Sequence, residues 1–386
     1  MSKFFVSCPL NCEAELATEI KSFWFEMIDL DGQPTRQTCP ELSLEPGGVE
    51  FETADHLGFQ VNFFSKIALR VLIRIGKFQA RYFDQFEKGL KSIDLNKWLA
   101  PQKIVFKIES HKSRLNNQKN LAEAAKNVLV AQGYSIIESA DDVTVQSLYI
   151  RLERDLVLLS LDSSGHNLHR RGYALHRGEA PLRENLAALV IRQLWHFQDP
   201  HQKFTLLDPF VGSGTLLFEA LSAHWPLLNQ DWAWLKFKNC PKLFQSATWM
   251  KNYRWAQYTS LVEAVGIDQD SKAIDNLRAN LQTFKNLYSH SEVSLDAHVA
   301  DSLKIDLSFL KNRKNIWLVT NPPYGHRLSE GEAVKVLERI ADELTLAGLI
   351  VIHPESWKLH FNGLTCVFKN DFNNQGLKLK LSLFKR

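Results

Sequence analysis

The segment FTLLDPFVGSGTLLFEALSAH, residues 204–224, constrains the fold of this chain more than any other stretch. A largely apolar run ends at Asp208, glycines follow at positions 212 and 214, and a helix-like run comes directly after them. Glycine lets the backbone turn sharply and lets a ligand approach where a side chain would collide. The order of strand, glycine loop and helix predicts an α/β domain that binds its ligand at the loop, facing the helix amides.

From about residue 185 onwards, strands and helices continue to alternate. The strings AVGIDQDSKAIDNLRANLQTF and NIWLVTNPPYG each begin with an apolar strand-like run, and LAGLIVIHPE adds another. Strands that alternate with helices predict a mainly parallel sheet, and the final strings LTCVFKN and LKLKLSLFKR predict an antiparallel hairpin at its end. Before about residue 165 the segments are mixed, which predicts an α+β region.

The composition narrows the class of protein. The chain has 386 residues, of which 45% are hydrophobic, and a formal net charge of only +3. We expect a globular protein of two or three domains in which any nucleic-acid site depends on local basic clusters. The five cysteines form no CxxC pair, so we expect free thiols and no metal site. The sequence starts without a signal peptide and has no apolar run of about 18 residues, which predicts a cytoplasmic protein without a membrane span.

The glycine loop is compatible with three kinds of ligand, or with a purely structural turn. A phosphate-binding P-loop requires a lysine that this string lacks, and Leu217 breaks the dinucleotide pattern GxGxxG. S-adenosylmethionine fits better, because Asp208 offers a carboxylate to the amine of its methionine end. Asp268, after the next strand, is expected to accept the ribose hydroxyls, and Asp301, expected at the end of a third strand, the adenine amine. Each aspartate could instead cap a helix, and Asp270 is expected to do so for the helix that begins at Ser271.

The corner NPPYG follows a fourth strand at the same edge. The side-chain oxygen of Asn321 and the main-chain oxygen of Pro322 can both accept hydrogen bonds from an exocyclic NH2 group. This would orient the nitrogen lone pair and favour the positive charge that develops during attack. Tyr324 can stack on the base. A proline-rich turn with a capping asparagine is the alternative.

Taken in order, DPFVGSGT, GIDQD, VADS and NPPYG resemble the S-adenosylmethionine-dependent methyltransferases that act on amino groups. The strings VSCPLNCEAELATEI, FKIESHKSRLNNQKNLAEAAKNVL and SSGHNLHRRGYALHRGEAPLRENLAALVI resemble the upstream half of the bacterial THUMP-domain RNA methyltransferases. That family includes 23S rRNA guanine-N2 methyltransferases, often labelled N6-adenine DNA methylases. The resemblance implies a ferredoxin-like domain at 1–60, a THUMP RNA-binding domain at 61–164, a linker at 165–184 and a Rossmann-like class I methyltransferase domain at 185–386.

The resemblance also implies which residues act. Cofactor contacts are expected at Asp208, Pro209, Gly212, Ser213, Gly214, Thr215, Asp268 and Asp301, and target contacts at Asn321, Pro322 and Tyr324. One departure from the family is Phe210-Val211, where many members have a smaller residue or cysteine; we expect it to alter only the packing behind the loop. Some members carry a second methyltransferase domain, and we expect it to be absent from a chain that stops at Arg386.

Two basic segments are predicted to contact RNA. HKSRLNNQK and HNLHRRGYALHR are both rich in cations, and the second also contains Tyr173, a combination that suits phosphate contact and base stacking. The predicted contacts are Lys112, Arg114, Arg170, Arg171, Tyr173 and Arg177. A solvated charged surface is the alternative for either segment.

The function predicted from these features is methylation of guanine N2 in structured RNA, with 23S rRNA or a ribosomal assembly intermediate as the partner. An N6-adenine methyltransferase acting on DNA or RNA, or a tRNA guanine-N2 methyltransferase, would use the same corner. A non-catalytic RNA-binding or assembly protein is the alternative from another class. It would tolerate loss of Asn321 or of the glycine loop, and both are intact.

Overall fold

The chain forms two compact units in a computed structural model. The first unit contains residues 1–168 and 226–255, and the second contains 169–225 and 256–386. The structure describes the whole chain apart from residues 138–144, 177, 179–181, 229, 247, 250–259, 289–293, 325–329 and 375–376 and the side chains of 330, 373 and 374.

The first unit is built on one sheet. Its strands are β1 Ser2–Ser7, β2 Ser43–Glu45, β3 Gly48–Thr53, β4 Arg70–Gln79, β5 Lys103–His111, β6 Ser135–Ile137, β7 Gln146–Glu153 and β8 Leu156–Asp162. Its helices are α1 Glu13–Phe23, α2 Asp55–Phe64, α3 Phe83–Lys91 and α4 Gln118–Ala131. The strand order is β2-β3-β1-β4-β8-β7-β5-β6, so the sheet runs continuously across the predicted boundary at residue 60. The predicted stop of α4 is confirmed, because Gly133 follows the helix with a left-handed φ of 91°.

The segment 226–255 contributes aromatic side chains to the core of this unit. Trp234 stacks on Phe59 of α2 with 5.1 Å between ring centroids, and Trp249 stacks on Phe63 at 5.0 Å. Trp232 also contacts Phe63, at 5.7 Å. Buried aromatic rings contribute a large apolar area, so this segment helps to stabilise the first unit although it follows the glycine-loop helix in sequence.

The second unit is an α/β domain. Its helices are α5 Glu184–Phe197, α6 Thr215–Leu221, α7 Ser271–Leu287 and α8 Glu330–Glu343. Its strands are β9 Phe204–Asp208, β10 Leu261–Asp268, β11 Ser294–Val299, β12 Ile316–Thr320, β13 Leu346–His353, β14 Thr365–Asn374 and β15 Leu377–Lys385. Short 3₁₀ helices in the two units are Trp24–Glu26, Leu95–Lys97, Ala233–Lys236, Lys242–Gln245 and Ser308–Leu310.

The sheet of the second unit has the order β11-β10-β9-β12-β13-β15-β14. Strands β9 to β13 run parallel, and β15 and β14 are added antiparallel, as the sequence predicts. Every residue of β9 and of β12 is buried, which explains why both read as almost continuous apolar runs. The core on one face joins Leu207, Leu318 and Leu349 of three strands to Leu337 of α8. None of the described helices is both long and apolar enough to span a bilayer.

Candidate active site

The site lies at the carboxyl edge of the second unit's sheet. Strand β9 has β10 on one side and β12 on the other, so the chain order reverses between β9 and β12. Ligands of open α/β sheets bind beyond the strand ends at such a reversal. Asp208 ends β9, Asp268 ends β10 and Asn321 directly follows β12.

Asp208 is buried, with 2% of its surface exposed. Its Oδ1 atom accepts hydrogen bonds from the Phe210 N–H at 3.0 Å and from the Thr320 hydroxyl at 2.6 Å. Within the described part of the chain its Oδ2 atom makes no hydrogen bond. The pKa of Asp208 is raised to about 7, mainly by burial and to a smaller extent by the negative charge of Asp268, while the hydrogen bonds from Thr320 and Phe210 oppose the shift. A cationic group bound at Oδ2 would compensate this buried carboxylate.

The glycine loop has one crowded and one open position. Gly214 has a φ of 90°, and a Cβ placed there would lie 2.8 Å from the Phe218 ring. Gly212 has a φ of 54°, and a Cβ there would meet nothing within 4 Å. Gly214 therefore satisfies packing, whereas Gly212 leaves space that a ligand can fill. Val211 packs against Gly266 of β10, where an added Cβ would lie 2.8 Å from it, so this departure from the family is matched by a glycine.

Asp268 holds the loop to the neighbouring strand. Its Oδ2 accepts from the Gly212 N–H at 2.9 Å, and its Oδ1 accepts from the Asp270 N–H at 3.0 Å. The residue is half-buried, so its carboxylate can still meet a ligand. Asp270 caps α7 by accepting from the Lys272 N–H at 2.9 Å, and this prediction is confirmed.

Asp301 was predicted to end a strand, but it lies in the turn after the strand. Strand β11 ends at Val299, so Asp301 belongs to the turn that follows it. Its Oδ1 accepts from the Leu303 N–H at 2.9 Å, and its Oδ2 pairs with Lys304 at 2.9 Å. The hydrogen bond from Lys304 is the main reason why the pKa of Asp301 is lowered. Both oxygens therefore have partners within the turn, and an adenine contact by Asp301 stays a prediction.

The corner after β12 presents an acceptor without a donor. The Oδ1 atom of Asn321 is buried and makes no hydrogen bond with the described residues. Pro322 is buried and Tyr324 is half-buried. Buried polar groups almost always have partners, so an unpaired acceptor at a sheet edge fits a ligand donor. The rest of this loop, 325–329, lies outside the described residues.

Two of the predicted RNA contacts are interior residues. Arg171 and Tyr173 are 2% and 0% exposed. The Tyr173 hydroxyl donates to Oε1 of Glu219 on α6 at 2.7 Å, and Arg171 Nη2 donates to Oε2 at 3.4 Å. The predicted RNA contacts, phosphate binding by Arg171 and base stacking by Tyr173, do not fit this burial, because both side chains bind Glu219 and are shielded from solvent.

The other predicted RNA contacts differ in setting. Arg170 is exposed, and Arg177 lies outside the described residues. Lys112 and Arg114 are exposed in the first unit, where the Arg114 guanidinium lies 4.5 Å from the centre of the Tyr82 ring. The side chains of Lys112, Arg114 and Arg170 are accessible to a polyanion.

Three further residues hold the segments at this edge in place by hydrogen bonds, and they were not predicted from the sequence. Thr320 bonds to Asp208 as described. Asn280 of α7 is fully buried and donates to the Ser213 oxygen at 3.3 Å while its side chain exchanges two hydrogen bonds with the main chain of His176. The Ser302 hydroxyl donates to the Pro209 oxygen at 2.7 Å. Such residues can be recognised in a sequence as polar residues within an apolar strand next to a motif, as Thr320 is directly before NPPYG. The described residues include no cluster of three or more potential metal ligands.

The strand order, the glycine loop after β9 and the asparagine corner after β12 are together those of a Rossmann-like class I methyltransferase fold. Residues 171–346 match the family model of the RMKL-like methyltransferase domain. A curated relative, the ribosomal RNA large subunit methyltransferase K/L of Colwellia psychrerythraea, is 30% identical over 89% of this chain and 46% of its own length. The chain thus spans about half the length of the curated relatives it matches.

Solved structures share the fold over the whole chain. SMU.472, crystallised as a complex with SAH, is 21% identical and covers 100% of this chain and 98% of its own, with a TM-score of 0.77. A predicted N6-adenine-specific DNA methylase from Listeria monocytogenes is 20% identical over 99% of this chain and 95% of its own, with a TM-score of 0.76. At these levels of sequence identity, the similarity shows a shared fold and nothing about function.

Proposed function

We propose that this chain transfers a methyl group from S-adenosylmethionine to the exocyclic N2 amine of a guanine in structured RNA, with 23S rRNA as the leading substrate. The observation that carries the proposal is the buried Oδ1 atom of Asn321, which has no hydrogen-bond partner among the described residues, at the edge where Oδ2 of Asp208 has none among them either. One acceptor suits a target amine and the other suits the amine of the cofactor.

The residues of the edge fit the parts of the cofactor. S-adenosylmethionine, when bound, supplies an electrophilic methyl group on its sulfonium. Oδ2 of Asp208 would accept from the ammonium group of the methionine end, and the space at Gly212 would admit ligand atoms close to the main chain. Asp268 would accept from the ribose, and the place of Asp301 near the adenine remains part of the proposal. Pro209, Ser213, Gly214 and Thr215 complete the expected cofactor loop.

Asn321 and Pro322 act on the target amine. Their oxygens would accept its two hydrogens, which directs the nitrogen lone pair towards the methyl group. The same acceptors stabilise positive charge on the nitrogen as it attacks. Neither group is a strong base, so the amine loses its proton after the transfer. Tyr324 would stack on the base, an interaction worth about 1–3 kcal/mol in single-stranded nucleic acid complexes.

The RNA part of the proposal is supported by the names of the curated relatives, which describe methyltransferases of the large ribosomal RNA. It is also supported by the exposed cations Lys112, Arg114 and Arg170. The first unit would hold the RNA as a ferredoxin-like and THUMP region, and either free 23S rRNA or an assembling particle would present the target base.

Methylation of adenine N6 is the second candidate. The acceptors of the corner suit any exocyclic amine, and a structural neighbour carries the name of an N6-adenine DNA methylase. Deleting the gene and comparing nucleosides of rRNA, tRNA and DNA by mass spectrometry separates the candidates. Loss of N2-methylguanosine from 23S rRNA is the expected result. Loss of N6-methyladenine, or of N2-methylguanosine from tRNA alone, would replace the proposed substrate.

Replacing Asn321 tests the chemistry. Asn321→Ala should lower turnover by ~10²–10³, the usual loss when one preorganised polar group is removed, while cofactor affinity persists. Initial rates with labelled S-adenosylmethionine, together with calorimetry of cofactor binding, provide the measurement. Asn370→Ala, at an exposed position of β14, is the matched control and should leave both quantities unchanged. Full activity of Asn321→Ala would refute the role of the corner.

A further inference from the structure

The contact that no motif accounts for is the hydrogen bond between Thr320 and Asp208. Thr320 is the last residue of β12, is fully buried and directly precedes Asn321. Its hydroxyl donates to Oδ1 of Asp208 at 2.6 Å. The bond therefore joins the end of β9 to the end of β12 across the point where the chain order reverses.

We propose that Thr320 is a positioning residue that fixes the Asp208 carboxylate so that Oδ2 is free to receive the ammonium group of the cofactor. The proposal rests on the proposed function, since it assigns Asp208 to that ammonium group. It adds a residue to which neither the family resemblance nor the motif assigns a role.

The geometry of the carboxylate carries the argument. Phe210 N–H and Thr320 O–H both donate to Oδ1, and no described residue donates to Oδ2. Two donors on one oxygen, from the main chain after β9 and from the end of β12, restrain rotation of the carboxylate plane. With Thr320 removed, Phe210 N–H would remain as the single described donor, and either oxygen could accept from it.

The charge of Asp208 depends on the same bond. Asp268, at the end of β10, is the one charged group of the described chain that acts on Asp208, and its negative charge opposes ionisation. The hydrogen bonds from Thr320 and Phe210 favour the ionised form. Loss of the hydroxyl should therefore raise the pKa of Asp208 and weaken binding of a cationic ligand near neutral pH.

A merely structural threonine would give a different result from a positioning one. Thr320→Val keeps the branched shape and removes the donor, whereas Thr320→Ser keeps the donor and removes a methyl group. If the residue only fills space, Thr320→Ser loses more stability and neither variant changes the pH dependence of ligand binding.

The experiment measures binding of SAH to the full-length chain by calorimetry between about pH 6 and pH 8.5, since SAH retains the amino-acid end of the cofactor. We expect Thr320→Val to shift the midpoint of the pH dependence upwards by about one unit and to weaken binding roughly tenfold at neutral pH. The difference should narrow towards pH 8.5, and Thr320→Ser should stay within about twofold of the wild type.

Asp208→Asn removes the titrating group and serves as the background for a double-mutant comparison. In that background Thr320→Val should produce no further shift of the pH dependence. An unchanged midpoint and affinity in Thr320→Val, with a lower melting temperature, would overturn the inference and leave the proposed function intact. Failure of the wild-type chain to bind SAH would instead overturn the proposed function.

Discussion

At the scale of single residues, the edge of the second unit contains polar atoms that the described fold does not satisfy. Oδ2 of Asp208 and Oδ1 of Asn321 accept no hydrogen bond from described residues, although Asp208 is 2% exposed. An unpaired buried acceptor destabilises a fold by about 1–3 kcal/mol, and an unpaired charge by more. Both atoms lie where ligand donors are proposed. We therefore expect them to lower the free energy of unfolding of the ligand-free chain, and a bound ligand to remove this penalty.

Replacing Asp208 tests this opposition between stability and binding. Its pKa in the fold is about 7, above the ordinary value of 3.8, so the folded chain holds the proton more tightly than the unfolded chain. The free energy of unfolding contributed by this group therefore falls as pH rises from about 4 through 7. Asp208→Asn should lack that fall and should melt a few degrees above the wild type near pH 8, with the difference narrowing as the pH is lowered towards 4.

Melting temperatures of the two proteins over this pH range provide the measurement, and SAH calorimetry near pH 8 should show weaker binding by Asp208→Asn. Parallel pH profiles of the melting temperature would contradict the assignment of the buried charge to Asp208.

The role of Asp270 was predicted correctly from its motif, because the context of a helix cap is local. Asp270 caps the helix that begins one residue later, and the N–H group that its side chain accepts from belongs to Lys272, two residues further on. Arg171 and Tyr173 could not be interpreted in this way. In the sequence they belong to a basic run, and their partner Glu219 lies 48 and 46 positions away. Residue type alone does not specify burial, so an interior ion pair looked like a nucleic-acid surface.

At the scale of elements, the alternation of strands and helices predicted the parallel sheet and its hairpin. Short apolar runs separated by helices are typical of the buried strands of such a sheet. The end of β11 was misplaced, since the turn at Asp301 is stabilised by its own hydrogen bonds with Leu303 and Lys304. The order of strands in the sheet depends on pairing between distant segments and could not be derived from local patterns.

The glycine loop yields a prediction from two neighbouring positions. Gly214→Ala would place a Cβ 2.8 Å from Phe218, so the variant should lose stability through overlap as well as through its left-handed backbone. Gly212→Ala meets no protein atom within 4 Å and should melt closer to the wild type. It should nevertheless bind SAH more weakly, because the added methyl group fills the open space.

Thermal melting and calorimetry of both variants supply the comparison. Normal SAH affinity in Gly212→Ala would show that the space at this loop is not part of the ligand site.

At the scale of the whole molecule, the predicted ranges 1–60, 61–164, 165–184 and 185–386 stay predictions, and the structure groups the chain differently. One sheet includes all strands from β1 to β8, and 226–255 joins the first unit. The aromatic string of that segment is visible in the sequence, but its packing partners on α2 are 175 and 186 positions away, and no local pattern indicates them.

The RNA proposal predicts that substitutions in the first unit weaken RNA binding without changing cofactor binding. Lys112→Ala with Arg114→Ala should weaken binding of transcribed 23S rRNA and reduce the slope of log affinity against log salt by roughly 1 to 2, as expected for two phosphate contacts. Affinity for SAH should not change.

Lys203→Ala with Lys285→Ala is the matched control, because both lysines are exposed at the amino edge of the second unit's sheet. A salt slope identical in the two double variants would exclude phosphate contacts at Lys112 and Arg114.

The route of segment 226–255 has a consequence for synthesis of the protein. When residue 168 leaves the ribosome, Phe59 and Phe63 still lack Trp232, Trp234 and Trp249 as packing partners. Trp249 follows roughly 80 residues later, a delay of about 4–16 s at usual rates of translation. During that interval the nascent first unit exposes aromatic surface, and its core closes only after the glycine loop of the second unit has already been made.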